Sequence, residues 1–121
     1  MKTLVLAALL VSARAAVVDR VAVVVGNDVI TQSEVDEEVR VTEFFNQQPL
    51  DLSAQQRRAA ADRLVDQQLI RNEMQISNFP APPQSEADTL LRKFRQEHYL
   101  SIAQFRAALG KYGVSEEQLK Q

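Results

Sequence analysis

A mostly α-helical fold, in which a short N-terminal β-hairpin packs on a small bundle of about four to five helices, is what this sequence predicts. Three observations carry it. Residues 17–25 are a β-branched run broken by Gly26 and Asn27; several Ser or Thr residues are followed three positions later by an acid or amide; and apolar residues recur at helical spacing beyond those points. At 121 residues with three Gly and four Pro, the chain has the composition of one globular domain. A formal charge of −2 leaves no basic surplus to neutralise phosphates, so nucleic acid is not an expected partner. Zero Cys excludes disulfides and thiolate chemistry, and the single His98 cannot build a multi-histidine metal cluster. No cofactor is expected.

Residues 1–15 read as a signal peptide. Lys2 precedes the apolar run of residues 3–11, and the small residues Ala13 and Ala15 stand at −3 and −1 of a cleavage site after Ala15. The run is about half of the ~20 apolar residues that span a bilayer, so a permanent membrane anchor is not expected. Cleavage removes Lys2 and Arg14, and the exported part, residues 16–121, is then more acidic than the whole.

In residues 17–25 the period-2 pattern puts Val21, Val23 and Val25 on one face of a strand. Gly26-Asn27-Asp28 is a turn signal, and Val29-Ile30 begins a second strand. A capping box follows, Thr31 with Glu34, closed by Ile30 and Val35 as a hydrophobic staple. The same device is expected at Ser101 with Gln104, under Leu100 and Phe105, and at Ser115 with Gln118, under Val114 and Leu119; Ser53 with Gln56 and Ser85 with Asp88 lack the staple. Residues 53–77 read as the central helix of the bundle, with Ala61, Leu64, Val65, Gln68, Leu69, Asn72 and Ile76 on one side. Prolines at 80, 82 and 83 follow its end. Ala87, Leu90, Leu91, Phe94 and His98 form the next apolar stripe, and Ile102, Phe105, Leu109 and Tyr112 another, ended by Gly113 as a left-handed cap. Six residues after Ser115 make a last helix too short to stand undocked.

Few residues offer chemistry. His98 ends an apolar stripe, where an imidazole suits a helix C-terminus. Glu34, Asp36, Glu37, Glu38 and Glu43 lack the ligand spacing of a calcium loop and read as a solvated face. Phe44 and Phe45 point about 100° apart on a helix. Phe45 continues the stripe of Val35, Val39 and Thr42, which leaves Phe44 with Val41 on a flank beside the polar loop that carries Leu50 and Leu52. Such a flank suits either a core edge covered by the loop itself or a peptide-binding groove, and the same two readings apply to the proline-flanked Phe79. On the groove reading Val41, Phe44, Leu50, Leu52 and Phe79 are the candidate contacts to a bound polypeptide.

Residues 18–35, from Val18-Asp19-Arg20 through Val29-Ile30-Thr31-Gln32-Ser33-Glu34-Val35, resemble the segment that follows the signal peptide in SurA-type exported parvulin foldases. Residues 64–70 and 101–115 are similar to later helices of that family in the same order, so the likeness spans nearly all of residues 16–121. The resemblance implies a periplasmic, ATP-independent chaperone module that holds unfolded, aromatic-rich outer-membrane protein clients. Family members often continue into parvulin prolyl-isomerase domains; this sequence shows none, so isomerase activity is not carried over and the chain is not expected to be an enzyme. The family module also runs through a further helix and commonly recruits a C-terminal segment of the same protein. The domain at 16–121 is therefore expected to be incomplete at its C-terminus, with a C-terminal segment or a partner chain completing the fold. Two other readings stay open: an N-terminal fragment of a prolyl isomerase, and an assembly subunit that docks on a partner.

Overall fold

A computed structural model describes residues 19–121, and the signal-peptide reading of residues 1–15, with Ala13 and Ala15, lies outside them. The described chain is the predicted architecture, a two-stranded antiparallel hairpin packed on helices. Strands β1 (Val21–Val25) and β2 (Asp28–Thr31) pair Val25 with Asp28, Val24 with Val29 and Val23 with Ile30. Gly26 takes φ +60° at the first turn position, where a tight hairpin turn favours glycine. Val21 does not share the half-buried face of Val23 and Val25. The pairing is irregular between Val21 and Val23, which breaks the alternation, and Val21 is 60% exposed.

Helix α1 (Gln32–Phe45) starts at the predicted box: Glu34 N–H donates to Thr31 Oγ1, and Thr31 N–H donates to Glu34 Oε2 at 2.6 Å. Ile30 and Val35 are buried in one cluster, as a staple requires. Ser53 caps α2 (Ala54–Ile76), Ser101 caps α4 (Ile102–Tyr112), and Ser115 forms a reciprocal box with Gln118 at α5 (Glu116–Leu119). Gly113, at φ +65°, ends α4 in the left-handed region. Two starts differ from expectation. Pro83, held extended, is the last residue before α3 (Gln84–His98), so Ser85 lies inside that helix and caps nothing. Leu100 is 94% exposed and closes over nothing, while the Gln104 side chain accepts from Leu100 N–H instead of Ser101 N–H.

Two hydrophobic clusters share α1. One joins Val35 and Val39 to Ile30 and Ala60, with Val23, Val25, Leu52, Leu64 and Val65 packed around them. The other is aromatic: Phe44 with Leu91, Phe105, Leu109, Tyr112, Val114 and Leu119. The central helix is therefore α1 and not α2. Only Ala60 of α2 is fully buried: α1 and the hairpin cover one side of the helix as far as Asn72, whose side-chain amide donates with that of Gln68 to Asp28 Oδ2, and leave Leu69 and Ile76, off that side, 52% and 78% exposed. The four-residue α5 is docked through Val114 and Leu119 and through Lys120 Nζ, 2.7 Å from Asp88 Oδ1 on α3. No helix among the described residues is long and apolar enough to cross a membrane.

Asp19 ties the segment before β1 to the start of α1, accepting from the Ser33 hydroxyl and amide. The Ser33 hydroxyl, above all, holds the Asp19 carboxyl below the ordinary aspartate range. A depressed acid keeps its full contribution above its unfolded value and loses it as pH falls through the folded one. The Ser33 amide resonance should accordingly titrate below the usual aspartate midpoint by NMR, and Asp19→Asn should abolish the transition. Phe44→Ala should cost about 3–5 kcal/mol in urea unfolding, since the removed ring is fully enclosed. Gly113→Ala should cost about 1–2 kcal/mol by the same measurement, from the left-handed backbone and the adjacent Arg40 guanidinium.

Candidate functional site

Between α1, α2 and α5 lies an open cleft of about 510 Å³. Its position follows from helix periodicity: Glu34, Glu37, Glu38, Val41 and Phe45 fall along one side of α1, and Leu64, Gln67 and Arg71 along one side of α2. Val41, Phe45, Leu64, Ile70 and Leu119 supply apolar surface, with the three glutamates along α1 beside it. Glu38 accepts from Arg63 Nε at 2.9 Å, and Glu34 is engaged in the α1 cap. Glu37 forms no ion pair among the described residues.

The five predicted contact residues do not converge on this cleft. Val41 lines it, half-buried. Phe44 is a correction: it is 0% exposed, with the rings of Phe45, Phe94, Tyr99, Phe105 and Tyr112 at 5.6 to 6.2 Å between centroids, and offers no surface to a client. The stripe through Val35 and Val39 belongs to one cluster while the end of α1 turns a different side to the aromatic one, so the half-buried, cleft-lining residue of the pair is Phe45. Leu52 packs on the hairpin cluster, Leu50 is 40% exposed on the loop before α2, and Phe79 is 68% exposed beyond the end of α2; none of the three lines the cleft.

The loop of residues 46–53 is held from two sides. Glu43, expected on the solvated acidic face, is only 5% exposed and accepts from Asp51 N–H at 2.8 Å, which compensates its removal from water. The Tyr112 hydroxyl donates to the Gln48 carbonyl at 2.5 Å, and Gln47 takes φ +55° as the chain leaves α1. Asp36 is likewise partly covered, accepting from Arg57 Nε at 2.6 Å; that bond and the Asp36 charge hold the Arg57 guanidinium above its ordinary value.

Phe45, Leu64, Ile70 and Leu119 were not among the residues singled out for binding. Ile70 carried a readable signal, an apolar residue outside the inward stripe assigned to its helix, and it is 60% exposed. Comparison with protein-family models, with curated proteins and with solved structures finds no match. Ile70→Ser should change stability by less than about 0.5 kcal/mol in urea unfolding, as expected of an exposed position. Tyr112→Phe should cost about 1 kcal/mol, the worth of its hydrogen bond to Gln48.

Proposed function

We propose that the chain is an exported, periplasmic, ATP-independent chaperone module that binds unfolded, aromatic-rich outer-membrane protein clients and performs no bond chemistry. The observation that carries the reading is the open cleft with Val41, Phe45, Leu64, Ile70 and Leu119 on its walls. Accessible apolar area of this kind suits a binder of varied segments. The likeness of residues 18–35 to SurA-type foldases supports the compartment and the client class. The exported chain should suppress light scattering when an unfolded outer-membrane barrel is diluted from urea, and Ile70→Ser should weaken the effect without altering the circular dichroism spectrum. No suppression at several-fold molar excess overturns the proposal, and measurable acceleration of proline-peptide isomerisation overturns its non-enzymatic part.

The exposed Leu69 and Ile76 of α2 also support a second reading, an assembly role in which a C-terminal segment or partner chain covers them. Under that reading the chain alone is loosely packed, and adding the companion sharpens its near-ultraviolet dichroism.

A further inference from the structure

We infer that the cleft selects polypeptide segments that are apolar on one face and carry Lys or Arg alongside it, a refinement that rests on the chaperone reading. From Glu34 to Phe45 the α1 wall rises about 16 Å, which matches three turns of an amphipathic helix laid in a groove. Apolar side chains of such a segment meet Val41, Phe45, Leu64 and Ile70. Its flank meets Glu34, Glu37 and Glu38, three carboxylates against the single guanidinium of Arg71 among the lining residues. Arg63 offsets Glu38 from outside the lining and Glu34 is engaged by the uncharged amide and hydroxyl of Thr31, so Glu37 is the one of the three with neither an ion pair nor a side-chain hydrogen bond among the described residues. A segment flanked by Asp or Glu would set like charges against the same wall, under a chain whose formal charge is already −2.

The test uses two labelled twelve-residue peptides with the same Leu and Phe residues at helical spacing, one flanked by Lys and Arg and the other by Glu, titrated with the exported chain by fluorescence anisotropy. The cationic peptide should bind about tenfold more tightly at low salt, a ratio within reach of two or three exposed charge contacts. Glu37→Gln should reduce the ratio, Glu37→Lys should bring it below about threefold, and molar salt should do the same to the wild type. Ile70→Ser should weaken both peptides alike. Equal affinity for the two peptides, with aggregation suppression intact, overturns the charge selection and leaves the chaperone reading standing. Binding of neither peptide, with no suppression, overturns both. A dimer in sedimentation that Ile70→Ser dissociates assigns the cleft to a second copy of this chain and overturns the proposal, as does release of a bound peptide by a C-terminal companion of the chain whose apolar face needs no basic flank.

Discussion

The enclosure of one phenylalanine ring organises most of this molecule. Phe44 is met by Phe94 of α3, Tyr99 of the following turn, Phe105 and Tyr112 of α4, and its own neighbour Phe45. Most of these contacts are edge-on or tilted, the arrangement in which ring quadrupoles attract and interdigitated rings pack densely. The position of α3 rests on this cluster, since Leu91 is its only fully buried side chain and Phe94 reaches Phe44 and Phe45. The short α5 rests on it too, because Leu119 is one of the cluster's members and four residues cannot sustain a helix alone.

A second constraint is that α1 serves two cores from different sides. Val35 and Val39 face the hairpin and α2, whereas Val41, Phe44 and Phe45 face the aromatic cluster. The cleft is the seam between them. Leu64 comes from the hairpin cluster, and Val41, Phe45 and Leu119 from the aromatic one. Its apolar surface is thus the unfinished border of two packed regions, which explains how a site lined by hydrophobic side chains coexists with a chain that folds around it.

What the sequence disclosed was what short-range chemistry determines. Thr31, Ser53, Ser101 and Ser115 cap helices because a side-chain oxygen needs only an amide three residues away, and Gly26 and Gly113 occupy positive φ for equally local reasons. The hairpin and the helical class followed from the same level of description. Tertiary questions were harder. Whether Phe44 or Phe45 enters the core depends on where α3 and α4 stand, and helix periodicity carries no trace of that. The buried state of Glu43 depends on the Asp51 amide across the loop, and the exposure of Leu69 and Ile76 on what does not cover them. Ser85 misled because a side chain suited to capping lost to the stiffer backbone of Pro83 two residues before it. The cleft inherits this difficulty, for its lining comes from three helices.

The bond from the Tyr112 hydroxyl to the Gln48 carbonyl joins residues 64 positions apart. Closing so wide a chain separation costs entropy that only a largely assembled structure offsets. The α1–α2 connection is therefore secured from two distances along the chain: the Glu43 bond to the Asp51 amide needs only residues of α1 and the loop itself, whereas the Gln48 carbonyl finds its partner only once α4 has been synthesised and docked.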